Sequence, residues 1–380
     1  MMIWNELKKM FTLKTVILLG LVTFVFYHLF IMFDFDHFPN GRPATDEFNV
    51  AKQMIDEYGE WMDEAEFENF KRIYEQQKQE AETYIDSQKE LVNAGIDSYE
   101  KFRAYERDDQ TVNKVRDRIL FEEEVDVFWE MQAREGIITQ YEHPERFGHA
   151  MSIDPLTEKQ KSRIDELLEE KQHTSTMSWV VYENYNNLIG NVALLIFLSI
   201  MTMVTPLYLQ DRKNNVILLQ YTSKVGRRSF SHKFVAALIA TTAVITLQLL
   251  LFFVLYKGNG TSMFLPLHMN SIFNYLLSWY DLTFLHYILL TIVGIYIVGF
   301  SLLLLVAYLS SMTPNYMTNI GSQIPVMFLL IVIGIDYIVK DVTSVFLPQH
   351  LWPVLLLSLV GLTAALFIIN LKKERIRDVL

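Results

Sequence analysis

Six long apolar stretches constrain this chain more than any other feature. They lie near 13–33, 187–209, 234–256, 285–309, 320–339 and 351–371. Each approaches the roughly 20 residues a helix needs to cross a bilayer. Lipid offers no hydrogen-bond partner, so a spanning segment must pair its own backbone as a helix or join a closed barrel. The short alternating segments of a barrel are missing. The sequence therefore predicts an all-α membrane protein with six transmembrane helices and a helical extracellular domain between the first and second. The first stretch is read as an uncleaved anchor. No small-x-small site follows it, and Asp34, Phe35 and Asp36 do.

Charge divides the chain. Residues 34–186 carry 37 acidic and 18 basic side chains, net −19, out of a total of 44 acidic and 33 basic. The remainder is therefore 7 acidic and 15 basic, net +8. Basic residues mark the cytoplasmic side of a membrane. Lys8, Lys9 and Lys14 precede the first span. Arg212, Lys213, Lys224, Arg227, Arg228 and Lys233 lie between the second and third. Lys372, Lys373, Arg375 and Arg377 follow the sixth. These place both termini in the cytoplasm and the acidic block outside. The expected organisation is residues 1–12 as an amphipathic cytoplasmic interfacial helix, 13–33 as the first span and 34–186 as the extracellular domain. Residues 187–380 then hold spans two to six, with a cytoplasmic loop at 210–233.

The acidic block reads as three helices after a linker, Pro39-Asn40-Gly41-Arg42-Pro43. Apolar residues from Met54 to Leu91 recur at helical spacing, and Asn93-Ala94-Gly95 signals a stop. A second helix is expected from Ser98 to about Arg134, ended by Gly136. A third follows a capping box at Thr157-Glu158-Lys159-Gln160 and runs to about His173. Glu122-Glu123-Glu124 with Asp126 reads as a solvated face. The aromatic run Ile272, Phe273, Tyr275, Leu276, Trp279 and Tyr280 in the 265–284 loop reads as headgroup-level anchoring.

Several function classes fall away. The chain has no Cys, hence no disulfide, thiolate metal site or cysteine nucleophile. An acidic balance argues against nucleic-acid binding. His143 and His149 have no zinc spacing, no loop has calcium-ligand spacing, and no nucleophile–base pair emerges. At membrane depth the polar candidates are His28, Asn191, Gln248, Ser301, Gln323 and Asp336. They form no carboxylate relay, which disfavours an ion-driven carrier and suits a hydrophobic or amphipathic cargo.

Two elements on the cytoplasmic side stand out. Ile3, Trp4, Leu7, Met10 and Phe11 share one helix face, with Asn5, Glu6, Lys8 and Lys9 on the other. Between the second and third spans, 210–233 is far longer than a simple connection requires. It exposes an apolar patch, Val216, Ile217, Leu218, Leu219 and Tyr221, which reads as a docking surface.

The segment Thr222-Ser223-Lys224-Val225-Gly226-Arg227, with Lys233 opening the third span, resembles the cytoplasmic loop of type-2 ABC-transporter permeases. That family commonly has Pro in the turn before Gly, where this chain has Lys224-Val225. The amphipathic N-terminal helix, six spans and large insert resemble the subset with big extracellular domains. The resemblance implies the permease subunit of an ATP-driven exporter in a bacterial plasma membrane. Asn214, Asn215, Val216, Ile217, Leu218, Leu219, Tyr221, Lys224, Gly226 and Arg227 would contact a separate ATPase subunit. That partner would bind ATP and Mg, since this chain lacks a G-x-x-x-x-G-K-[ST] loop, holds no cofactor and is not itself an enzyme. A second permease subunit, identical or homologous, and membrane lipid complete the expected partners. The alternative is a membrane sensor or immunity protein whose outer helical domain binds a ligand.

Overall fold

The computed structural model describes residues 2–104, 110–123, 125–146, 155–213, 228–274 and 277–376. The chain is helical throughout these residues, with no strand and only isolated bridges. It divides into two compact units, one made of 1–36, 183–262 and 285–380, the other of 37–182 and 263–284.

The first unit begins with α1, Met2–Met10. Helix α2, Leu13–Asp36, follows after Thr12, whose hydroxyl accepts from the Thr15 amide at 3.2 Å. It is the first of six helices long and apolar enough to cross a membrane among the described residues. The insert unit then contributes α3 (Ala44–Tyr58), α4 (Glu64–Ser87), α5 (Lys89–Asn93), α6 (Tyr99–Ala104), α7 (Gln110–Asp117), α8 (Asp126–Glu142) and α9 (Glu158–Glu169). The second span is α10, Trp179–Val204, continued after a break by α11, Pro206–Lys213. The remaining spans are α12 (Arg228–Tyr256), α13 (Phe284–Met312), α14 (Tyr316–Leu329, continuing as a π-helix over Leu330–Val339) and α15 (Leu351–Ile376).

Burial ranks the spans. In its most apolar window the second is 78% buried and the first only 6%. So α10 forms the centre of the bundle and α2 presents its side chains outward, Leu13, Ile17, Leu21 and Phe24 among them. Tyr185 at the centre is fully buried and bonds Thr291 at 2.6 Å. Tyr287 donates to Asn186 at 2.7 Å and accepts from the Asp341 amide at 3.0 Å. Gly294 on α13 allows a close approach, since a Cβ there would sit 2.9 Å from the Ile338 carbonyl oxygen. In α2 a π-turn, Tyr27–Ile31, loosens the backbone ladder, and the Phe30 carbonyl accepts from Asn191 at 2.9 Å.

The insert unit corrects several expectations. The first helix is broken after Tyr58. Gly59 takes φ +80°, which favours glycine, and Asp63 restarts the chain with a capping box to Glu66. Gly95, also at positive φ, follows α5, the short extension of α4, and ends it as expected. The second expected helix is interrupted, among the described residues, at Glu123 and Val125, and α8 starts afresh at Asp126. Gly136 does not end α8, which runs on to Glu142 and stops before Pro144, a residue that cannot continue a helix. The Thr157–Gln160 box forms, but α9 stops at Glu169 rather than near His173, because Lys171 turns to φ +57°.

Phe128 centres one core, ringed by Tyr84, Tyr99 and Phe102 with Ile85, Leu91 and Ile119 around them. The larger correction is the 265–284 loop. It is not a row of membrane anchors where described. Ile272, Phe273 and Leu277 are buried, and Trp279 is half-buried. The loop is laced to 173–179. Ile272 donates to the His173 carbonyl, Trp179 to that of Phe273 (both 2.9 Å), and Ser271 bonds Ser175 at 2.5 Å. Arg163, 8% exposed, binds Asp281 at 2.5 Å. Burying a guanidinium requires such a partner. Tyr275 and Leu276 lie outside the described residues. Glu122, Glu123 and Asp126 are exposed, as a solvated face requires, and there Glu123 accepts from Tyr84 and Asp126 pairs with Arg42.

An open cleft of about 380 Å³ lies on this unit, walled in part by Trp61, Tyr141 and His268.

Candidate functional site

The ten residues expected to meet an ATPase all lie within 214–227, outside the described residues. Their loop is, however, bounded by α11 and α12, and the described side chains of these helices, up to Asp211 and from Phe230, form a connected site.

Pro206 breaks the second span. It has no N–H to donate, so α10 ends at Val204 and α11 starts afresh. The Thr205 carbonyl instead accepts from Ser310 Oγ at 2.8 Å, and that same Oγ accepts from the Tyr208 amide at 3.3 Å. The Thr205 hydroxyl donates to the Met201 carbonyl at 2.6 Å and accepts from Gln323 Nε2 at 2.8 Å. Gln323 also donates to the Asn319 side-chain oxygen Oδ1, and Asn319 donates to Thr313 Oγ1 at 2.8 Å. Asn370 on α15 reaches Ser311 at 2.6 Å. All these side chains are buried, so the break is held by α13 and α14, with α15 tied to α13, through hydrogen bonds rather than by grease.

One and a half turns beyond the break comes Asp211, 5% exposed. Its carboxylate pairs with Lys233, 4% exposed, near the start of α12. On its other oxygen it meets Lys9 of α1 at 3.5 Å, and Lys9 binds Glu6 at 2.8 Å. Burial lowers the Lys9 pKa, but the hydrogen bond it donates to Glu6 and the field of Asp211 outweigh it, and the ammonium is held above lysine's ordinary value. The Lys233 ammonium lies 5.5 Å from the Tyr208 ring, which stacks on Phe230 at 4.7 Å. So the two ends of the 214–227 segment are clamped to each other and to α1.

Helix α1 itself lies against α12, with Glu6 and Met10 buried, and leaves Trp4 on its apolar face 62% exposed. The sequence reading named Lys233 but did not pair it. A carboxylate closing one apolar span and a lysine opening the next were the available signal.

The other membrane-depth candidates bond mostly within the bundle. Gln248 donates to Ser199 at 3.0 Å, Asn191 to Phe30, and Gln323 joins the network above. Ser301 is buried. His28 lies beside Met32 Sδ at 3.0 Å on the exposed face of α2, and Asp336 is exposed in the π-helix. Among the described residues no group of His, Asp or Glu could hold a metal ion.

Comparison with known proteins finds no matching family model, curated protein or solved structure.

Proposed function

We propose that this chain is the membrane-spanning subunit of an ATP-driven exporter, with a partner ATPase seated against 214–221. The observation that carries the reading is the buried Asp211–Lys233 pair, extended by Lys9. It joins both ends of the loop that resembles a permease coupling loop to the N-terminal helix and, through Thr205, to two further spans, α13 and α14. A push on the loop is then passed to the bundle as a rigid motion. In this reading the acidic insert faces the outside and both termini the cytoplasm. The cargo is hydrophobic or amphipathic, a lipid or membrane-active peptide, consistent with polar side chains that turn their hydrogen bonds inward.

The test is purification of the detergent-solubilised chain from its own cell. A co-purifying ATPase with a phosphate loop, lost on Leu218→Asp or Leu219→Asp, is the expected result. Retention of no ATPase by the parent chain refutes the reading. The second reading, a membrane sensor, is favoured by the open cleft on the insert, and predicts a ligand-dependent response without any ATPase.

A further inference from the structure

The cleft on the insert unit has about 380 Å³ of space, within the range of small-molecule sites. Its walls combine aromatic rings with carboxylates. Trp61 packs at a tilt against His268 with ring centres 4.8 Å apart, and His268 is fixed by Glu60 at 2.5 Å. Tyr141 stacks on Phe67 at 3.9 Å and donates to the Met62 carbonyl at 3.2 Å. Both rings are therefore held in place before any ligand arrives. Asp63, Glu64 and Glu170 contribute three negative charges and Lys171 one positive, so the lining is net −2. Burial, then the fields of Glu64, Asp63 and Glu66, raise the Tyr141 phenol, which reports negative potential reaching the aromatic wall.

Lys171 is the unusual member. It follows α9 at φ +57°, a backbone position that favours glycine, and the helix closes around it with Gln172 donating to the Leu167 carbonyl at 3.0 Å. Its ammonium lies 3.4 Å from Glu64, and both side chains are largely exposed. Exposed pairs of this kind are weak and readily exchanged. A strained backbone thus holds a loosely bound cation at the acidic rim.

We propose that this cleft binds an organic cation, an alkylammonium or guanidinium carried by a small amine or a basic peptide, and that Lys171 is the resident cation it displaces. The aromatic wall supplies a cation–π and packing surface, and the carboxylates take over the charge. The inference does not rest on the transport reading, since an exporter or a sensor could use such a site.

The test is isothermal titration of the full chain in detergent micelles with benzylamine, with tetralysine and with neutral benzyl alcohol. An amine binds and the alcohol does not. The double variant Glu64→Gln, Glu170→Gln weakens amine binding by about tenfold or more, and Trp61→Leu by about threefold. Lys171→Gly and Lys171→Met both tighten it, the second without relieving the backbone. Tetralysine alone binding supports the site with a basic peptide as source, and benzylamine alone supports it with a small amine. The proposal is overturned if neither amine binds, if benzyl alcohol matches benzylamine, or if the carboxylate variant binds unchanged. Unchanged affinity in both Lys171 variants overturns the displacement step.

Discussion

Replacing Lys233 by Met tests the clamp directly. The side chains of Lys233 and Asp211 are 5% and 7% exposed, so methionine would leave a buried carboxylate without this counter-ion. Removing one partner of a buried pair costs about 3–5 kcal/mol, because the other charge is stranded away from water. Lys9 remains at 3.5 Å, and at 40% exposure it is well solvated, so the expected cost sits near the lower end, about 3 kcal/mol. Asp211→Asn strands Lys233 instead and is expected to cost a similar amount. The double variant removes both charges and is expected to return to within about 1 kcal/mol of the parent, since neutral replacements of a buried pair are often tolerated. The assay is unfolding in mixed detergent micelles followed by circular dichroism, read as a double-mutant cycle. A coupling energy of about 2 kcal/mol or more is expected, against the few tenths typical of independent sites. Costs that simply add would refute the clamp, and with it the route from the loop to the bundle.

The insert unit offers a pH test. Burial, only partly offset by Arg42 and reinforced by Asp126 and Glu130, pushes the Asp46 carboxyl up to about 6 from 3.8. A raised acid binds its proton more tightly when folded, so this group adds stability as pH falls from about 6 towards 4 and forfeits it as pH rises. Asp46→Asn keeps an acceptor for Arg42 and is expected to stabilise the chain at pH 7.5 by on the order of 2 kcal/mol, with little effect near pH 4. Unfolding at both pH values checks this, and equal effects at the two would contradict it. In the membrane unit Gly294→Ala places a methyl 2.9 Å from the Ile338 carbonyl, where backbone has to move. A loss of about 1–3 kcal/mol is expected. At Gly190 the nearest atom is the Lys340 side chain, which can swing aside, so the same substitution is expected to be milder. Thermal unfolding of the two variants side by side would decide it, and a milder Gly294 effect would count against the close approach.

The spans were legible because lipid removes the ambiguity of a short apolar run. All six expected stretches fall inside observed helices, apart from ends that extend by a few residues. Local grammar was legible too, as at Thr157–Gln160 and Gly95. Local grammar failed where tertiary partners decide. Gly136 signalled a stop, but α8 continues between neighbours that bury Met131 and Ile137 on either side of it. The 265–284 aromatics carry no mark distinguishing a lipid-facing ring from one buried against residues a hundred positions earlier. Lys9, Asp211 and Lys233 were each visible, but pairing residues 202 apart is beyond any periodicity.

The insert unit is assembled from two pieces, 37–182 and 263–284, separated in the chain by two spans. During synthesis the first piece emerges well before its missing part has been made. Until residue 284 is translated, Arg163 lacks its Asp281 counter-ion, and the edges at 173–179 lack the backbone that will cover them. Maturation of the domain is therefore timed by insertion of the third span. A nascent chain arrested before residue 263 should display a protease-sensitive intermediate, and no contiguous excision can yield the finished fold.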